Sequence, residues 1–163
     1  MRVTIERANL LKSLNHVHRV VERRNTIPIL SNVLIRAEGA ILAMKATDLD
    51  LEINESTAAM VEQAGATTVP AHLLYEIVRK LPEGGEVMLA TNPDGTSMTV
   101  ISGRSNFRLQ CLPQSDFPEL TAGTFTHSFR LNSTAIKGLI DKTQFAISNE
   151  ETRYYLNGIY LHA

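Results

Sequence analysis

The residues of this chain best suited to bind a ligand are the cations near its beginning. Between residues 8 and 24, four cations stand against one carboxylate: Lys12, Arg19, Arg23 and Arg24 against Glu22. Lys12, Arg19 and Arg23 fall with His16 at steps of four, three and four residues, which places them on one face of a helix. Such a face attracts anions, but a solvated helix surface without a ligand is the more common explanation of the same pattern.

Two other pairs of side chains could hold a metal ion, but both are weak candidates. Asp48 and Asp50 could share a divalent ion on one strand face, yet no third ligand and no phosphate-binding glycine loop lies near them in the sequence. His16 and His18 would point apart on a helix, so they do not make a metal pair. The sequence therefore predicts no metal, no cofactor and no enzyme active site.

Negative charge is concentrated in the segment from residue 41 to residue 65. In this segment Lys45 stands against five carboxylates, which are Asp48, Asp50, Glu52, Glu55 and Glu62. The alternation of apolar and polar residues from 49 to 54 predicts a strand with one buried face and one acidic face. We therefore expect the helix surfaces to be basic and the sheet surfaces to be acidic.

The composition is typical of a globular protein from a reducing compartment. The chain has 163 residues, is 44% hydrophobic and 20% charged, and contains no apolar run near the length of a membrane span. The single Cys111 cannot form an internal disulfide and is expected to be a small buried side chain at the end of a strand. Because the N-terminus has no secretory pattern, we expect a cytoplasmic protein.

An internal repeat organises the chain. A short apolar strand followed by an amphipathic helix is predicted at residues 3–14, 69–81 and 129–140. Leu10, Leu73 and Ile136 are equally spaced and are predicted to occupy equivalent positions on the three helices. Asn132 or Ser133 is expected to cap the third helix with a side-chain oxygen.

The predicted fold class is α+β. Each repeat is expected to contain one strand, one helix and about three antiparallel strands, with a hairpin around Glu38 and Gly39 in the first repeat. Turns are predicted at residues 92–95 and 103–105 in the second repeat. Two repeats would form a layered domain with both helices on one side and the sheets on the other.

A domain boundary is expected after the second repeat. Residues 112–124 are polar, include two prolines, and are predicted to form an inter-domain linker. We therefore expect a first domain over residues 1–125 and the beginning of a second, incomplete domain over residues 126–163. In the second domain a helix is predicted to end near Lys142, and a strand is predicted over residues 154–162. This organisation indicates the N-terminal part of a longer protein.

Seven stretches of the sequence carry a family resemblance. They are TIPIL at 26–30, TDL at 47–49, GATTVPA at 65–71, LPEG at 81–84, SGRS at 102–105, DFP at 116–118, and TQF at 143–145 together with RYYLNG at 153–158. In these stretches, and in their order, the chain resembles the bacterial DNA polymerase III beta subunits, the replicative sliding clamps. The resemblance extends from end to end of the chain.

This resemblance implies the DNA-clamp fold and a ring of two head-to-tail subunits. Duplex DNA would pass through the ring, with helices lining the hole and sheets forming the outside. The implied partners are double-stranded DNA, the catalytic subunit of DNA polymerase III, the clamp loader, and other clamp-binding polymerases and repair proteins. No catalytic activity, cofactor or membrane is implied. The full-length protein would be a homodimer, whereas a chain that stops within its second domain is expected not to close a ring.

The resemblance also implies site residues. Arg24, Arg153, Tyr154 and Tyr155 match positions that contact DNA in the family, and Lys12, Arg19, Arg23 and Arg79 suit the positively charged lining of the hole. Arg153 and Leu156 match the edge of the pocket that accepts partner peptides. The loop before Arg153 departs from the family, and we carry no DNA contact onto Glu150 because a carboxylate repels phosphate.

An ordinary DNA-binding module that holds the duplex by electrostatic attraction is the alternative interpretation. Its basic helix face would have the same sequence pattern. The two interpretations differ in topology, because a ring stays on a closed DNA circle at high salt whereas an electrostatic complex dissociates.

Overall fold

The computed structural model describes residues 1–23, 26–120, 123 and 127–162. The chain divides into two compact units, Met1–Thr121 and Ala122–Ala163. The predicted domain boundary after residue 125 lies outside the described residues and stays a prediction. In the part of the chain that is described, no helix is long and apolar enough to cross a membrane.

The first unit contains helices and antiparallel strands in the predicted α+β order. Its elements are β1 Arg2–Glu6, α1 Arg7–Val17, β2 Asn32–Glu38, β3 Ile41–Thr47, β4 Glu52–Ala58, β5 Met60–Gln63, β6 Gly65–Pro70, α2 Ala71–Lys80, β7 Glu86–Thr91, β8 Ser97–Ser102 and β9 Ser105–Gln110. One strand leads directly into one helix at β1–α1 and again at β6–α2. The two repeats of the first unit therefore fold alike, as predicted.

The two repeats exchange their first strands. β1 pairs with β7 of the second repeat, with Val3 opposite Leu89, and β6 pairs with β2 of the first repeat, with Val69 opposite Val33. The resulting antiparallel sheets have the strand orders β5-β1-β7-β8-β9 and β4-β3-β2-β6. Because each repeat supplies a strand to the sheet of the other, neither repeat has a complete sheet of its own.

Both helices bury an apolar stripe in one core. Leu10, Leu14 and Val17 of α1 are fully buried, and so are Leu74 and Val78 of α2. These positions follow the three- and four-residue steps of a helix face. The buried stripes hold the two helices against the inner faces of the sheets.

The predicted helix register was wrong at one position. Leu73 is 50% exposed, whereas the adjacent Leu74 is 0% exposed and occupies the position on α2 that Leu10 occupies on α1. The helices begin at Arg7, Ala71 and Ser133, so the repeats are not equally spaced. Equal spacing selected the wrong member of a pair of neighbouring leucines, because both are apolar.

The predicted strand over residues 49–54 was wrong in its first half. A turn precedes Glu52, where β4 begins. The Asp48 carboxylate accepts hydrogen bonds from the backbone N–H groups of Asp50 and Leu51, at 3.0 and 2.7 Å. Leu49 adopts a φ of 82°, and Leu49 and Leu51 are 45% and 54% exposed. The alternating pattern therefore belongs partly to a turn that a side chain stabilises.

The predicted linker over residues 112–124 was wrong in its first part, because residues that were assigned to it pack on the first unit. The carbonyl of Leu112 accepts a hydrogen bond from the Thr68 hydroxyl at 2.9 Å. Phe117 is only 6% exposed and packs with Ile29 and Leu30. The segment up to Phe117 therefore belongs to the first unit, because one buried aromatic side chain outweighs its polar neighbours.

The second unit is one helix followed by short turns. Helix α3 runs over Ser133–Thr143, and the Asn132 side chain caps it by accepting from the N–H of Thr134 at 2.9 Å, as predicted. The short strand predicted at the start of residues 129–140 and the strand predicted over 154–162 do not form. A short 3-10 helix runs over Glu151–Leu156 instead. The described residues of this unit bury no hydrophobic side chain and offer no strand to pair with.

Candidate nucleic-acid interface

Helices α1 and α2 lie side by side in opposite directions. At one end, the guanidinium of Arg7 donates to the backbone carbonyls of Val78 and Arg79, at 3.0 and 2.6 Å. At the other end, Nε2 of His72 donates to the backbone carbonyl of Val21 at 2.7 Å. A cation at the last carbonyls of a helix also meets the negative end of its dipole. Arg7 therefore caps α2 and fixes it against α1.

A stacked cluster of rings fills the seam between the two helices. The His18 and Tyr75 rings are parallel, with 3.9 Å between their centroids, and the His72 ring meets His18 edge-on at 5.6 Å. The guanidinium carbon of Arg79 lies 5.8 Å from the centroid of Tyr75, which is within the range of a cation–π contact. The seam thus places Arg79 of α2 beside Tyr75, whose ring stacks on His18.

Burial in this seam favours the neutral form of His18 by lowering its pKa. Its Nδ1 donates to the carbonyl of Leu14 at 2.7 Å. Burial lowers the pKa of His18 from 6.5, and the positive charges of His72, Arg19 and Arg23 act in the same direction, against the bond to Leu14. An anion at this surface would oppose the effect of those charges.

The cations predicted to line the hole are on the surface of the first unit. Lys12, Arg19, Arg23 and Arg79 are all exposed. Within the described residues, the first three make neither an ion pair nor a side-chain hydrogen bond, whereas Arg79 pairs with Glu76 at 2.6 Å. Lys12 lies on the face of α1 opposite its buried stripe. The predicted helix face of Lys12, His16, Arg19 and Arg23 was wrong in its second half, because α1 ends at Val17 and the last two cations lie in the segment that follows. Arg24 lies outside the described residues, so its role stays a prediction.

The predicted acidic sheet surface was wrong for the β4-β3-β2-β6 sheet. The carboxylate of Glu55 points toward α1 and bonds Nδ1 of His16 at 2.7 Å. Glu52 is held by Asn54 and Lys45, at 2.7 and 3.2 Å. The hydrogen bond from Asn54, followed by the contact with Lys45, lowers the pKa of Glu52. Side chains alternate along β4, which begins at Glu52, so the next carboxylate, that of Glu55, turns inward. The outer face therefore carries charges of both signs.

The predicted DNA contacts of the second unit share one short turn. Tyr154 and Tyr155 are 77% and 70% exposed, and their rings meet edge-to-face at 5.8 Å. The guanidinium of Arg153 pairs with the carboxylate of Glu150 at 3.0 Å. Leu156, predicted at the edge of a peptide pocket, is 45% exposed. Glu150 partly neutralises Arg153 and would compete with a phosphate for it.

Sequence reasoning missed the residues that join the two helices. Arg7 lies in a stretch interpreted only as the start of a helix, and Tyr75 looks like an ordinary helix residue. His72, Tyr75 and Arg79 fall at steps of three and four, which could have indicated one face of α2. Their contact with His18 depends on the antiparallel packing of two helices far apart in sequence, which no local pattern contains.

The weaker chemical candidates are engaged elsewhere in the fold. Asp48 uses its carboxylate to hold the β3–β4 turn. Among the residues described, no group of three or more His, Cys, Asp or Glu could hold a metal ion. Cys111 lies just after β9, as predicted, but its side chain is only partly buried against the core, and this burial raises the pKa of its thiol.

Residues 1–121 match the family model described as the DNA polymerase III beta subunit, N-terminal domain. Among curated proteins, the chain is 53% identical over 162 residues to the beta sliding clamp of Caulobacter vibrioides and 42% identical over 161 residues to that of Escherichia coli. These alignments cover 99% and 98% of this chain but only 44% and 43% of the two relatives. The chain thus spans less than half the length of the relatives it matches.

Solved structures show the same likeness. A DnaN sliding clamp from Bartonella birtlesii, bound to griselimycin, superposes with a TM-score of 0.94 at 59% identity, covering 99% of this chain and 43% of that one. The beta sliding clamp of C. crescentus superposes with a TM-score of 0.95 at 53% identity, with the same coverage. The fold prediction is thereby confirmed, and this chain belongs to the DNA polymerase III beta subunit family, the beta sliding clamps.

Proposed function

We propose that the protein to which this chain belongs is a DNA sliding clamp, a processivity factor that encircles duplex DNA as a head-to-tail homodimer. It would tether the catalytic subunit of DNA polymerase III, be placed on DNA by a clamp loader, and also bind other polymerases and repair proteins. The role is one of binding rather than catalysis and needs no cofactor. Because its ligand would be the bacterial chromosome, we propose a cytoplasmic location.

The exposed cations of the α1–α2 surface carry this proposal. Lys12, Arg19 and Arg23 are exposed and, within the described residues, make no ion pair that would have to be broken before they meet a phosphate. A sliding contact needs charge without fixed base contacts, because phosphate contacts hold the duplex independently of its sequence. Arg79, stacked near Tyr75, would join them after releasing Glu76.

Two features of the first and second units support the proposed partners. Strand β9 lies at the edge of its sheet and exposes 39% of Phe107, so it offers a backbone edge and an aromatic side chain to a second subunit. Arg153 and Leu156 lie on one exposed turn, which suits the proposed rim of a peptide pocket. Arg24, Tyr154 and Tyr155 stay part of the proposal as DNA contacts of the complete ring.

Salt dependence of DNA binding tests the role of the helix surface. Each of Lys12→Gln, Arg19→Gln and Arg23→Gln is expected to reduce the slope of log affinity against log salt by about 0.9 if it removes one phosphate contact. Fluorescence anisotropy with a labelled short duplex measures this slope. Arg104→Gln, in the exposed turn between β8 and β9, is the matched control and should leave it unchanged. An unchanged slope in the triple variant would rule out this surface.

A further inference from the structure

A cleft of about 630 Å³ lies on the other side of the first unit, on the outer face of the β4-β3-β2-β6 sheet. The strand register builds its floor. Arg36 on β2 lies opposite Ala43 on β3, and Ala43 lies opposite Ser56 on β4. Small side chains at these positions leave the space open. None of these residues belongs to the helix surface proposed to face DNA.

The segment after β9 forms the wall of this cleft. Gln114, Ser115 and Phe117 all line it. Phe117 is 6% exposed and packs with Ile29 and Leu30, and a short 3-10 helix over Gln114–Asp116 shapes the backbone before it. The wall is therefore anchored to the unit by a buried aromatic ring. A cleft with a fixed wall and a sheet floor is largely formed before any ligand arrives.

Arg36 is the cation in this cleft that is free to bind. Its register neighbours are Ala43 and Ala66, which offer no acceptor. Within the described residues Arg36 makes no ion pair or side-chain hydrogen bond, whereas the ammonium of Lys45 is held by Glu52 at 3.2 Å. Arg36 also lines a smaller adjoining cleft of about 270 Å³. An unpaired guanidinium beside open space is suited to a carboxylate.

The rest of the lining suits a peptide better than a small inorganic anion. Leu34, Ala43 and Phe117 provide apolar surface, and Ser56 and Ser115 provide hydroxyl groups. We propose that this cleft binds a short extended segment of another protein in which apolar side chains flank a carboxylate. The carboxylate would pair with Arg36, and the apolar side chains would cover the floor. Glu119, also in the lining, would disfavour a segment with several carboxylates.

A pair of matched peptides tests this site on the whole 163-residue chain. The ¹⁵N-labelled protein is titrated with Ac-Ile-Glu-Ile-NH₂ and with Ac-Ile-Gln-Ile-NH₂, and amide shifts are followed by NMR. We expect saturable shifts at the cleft and binding of the Glu peptide about fivefold tighter than that of the Gln peptide, because one hydrogen-bonded charge pair is lost. Arg36→Gln should make the two peptides equal, and Arg104→Gln should preserve the difference.

A second variant tests the open space of the cleft separately from the charge of Arg36. Ala43→Phe fills the floor without entering the core, so it should abolish binding of both peptides while the thermal midpoint stays near that of the parent. The proposal is overturned if the Glu and Gln peptides bind equally to the parent, if the shifts lie outside the cleft, or if no saturable shift occurs. Inorganic phosphate that binds as tightly as the Glu peptide would reassign the cleft to small anions.

Discussion

At the scale of single residues, His18 couples folding to pH. Its pKa is lowered in the folded protein from 6.5, chiefly by burial, so the folded state favours the neutral ring. The resulting stability is fully present above the unfolded pKa and is lost as the pH falls below it, because the unfolded chain then binds the proton more readily. We expect the free energy of unfolding to decrease between about pH 7.5 and about pH 5.5.

Urea denaturation at the two pH values measures this decrease. His18→Phe keeps a ring against Tyr75 but removes the titrating group, so the decrease should be smaller in this variant. His162→Phe replaces an exposed histidine of the second unit and should retain the full decrease. A decrease of the same size in the parent and in His18→Phe would show that His18 does not carry the effect.

Glu150 partly neutralises Arg153 and so weakens the attraction of this arginine for DNA phosphates. The two side chains pair at 3.0 Å and are both well exposed. Exposed pairs contribute about 0.2–1 kcal/mol, so Glu150→Gln should strengthen binding to a short duplex at low salt by up to about fivefold. Fluorescence anisotropy gives the affinity. Weaker or unchanged binding by Glu150→Gln would mean that Arg153 does not reach phosphate, and Arg153→Gln then should have no effect either.

At the scale of elements, the register of α2 can be tested with neighbouring leucines. Leu74 is 0% exposed in the core and Leu73 is 50% exposed. Leu74→Ala should lower the free energy of unfolding by about 2–5 kcal/mol, because it removes buried surface and leaves a cavity. Leu73→Ala should change it by less than about 0.5 kcal/mol. Chemical denaturation of the two variants decides between the registers, and the reverse order would restore the equal-spacing prediction.

Local patterns predicted the elements of the first unit better than their contacts. Helices α1 and α2 follow from apolar steps of three and four, and β7 to β9 follow from alternation between turns. The sequence did not indicate that β1 and β6 exchange sheets, because pairing partners are non-local. It also mistook the Asp48 turn for a strand, since exposed Leu49 and Leu51 imitate the alternation of a buried face.

The site was predicted from sequence to a different degree in its two parts. Exposure of Lys12 followed from its position opposite the buried stripe of α1, whereas Arg19 and Arg23 are exposed in the segment beyond Val17, where the helix ends. The contacts of Arg7 and His72 with distant backbone carbonyls could not be predicted, because they depend on the packing of α2. In the second unit a strand was predicted around Tyr154 where a turn forms, since no partner strand lies within the described residues.

At the scale of the whole molecule, the two units differ in how much of a fold they contain. The first has a shared core under two sheets and two helices, with cations on the helix side. The second has a capped helix and exposed apolar side chains such as Phe145 and Tyr160, at 85% and 87%. Side chains of this kind become buried only against further structure. We therefore expect the 163-residue chain alone not to close a ring.

Retention on circular DNA is the sharpest test of whether the complete protein encircles the duplex. The complete clamp is loaded by its clamp loader onto a nicked circular duplex and washed at high salt. The amount of bound protein is measured after the wash and again after the circle is cut to a linear form. Ring topology predicts that the protein survives the wash on the circle and leaves after cutting, while the 163-residue chain is not retained on either DNA. Equal loss of the complete clamp from circular and linear DNA during the wash would contradict the account and favour a purely electrostatic binder.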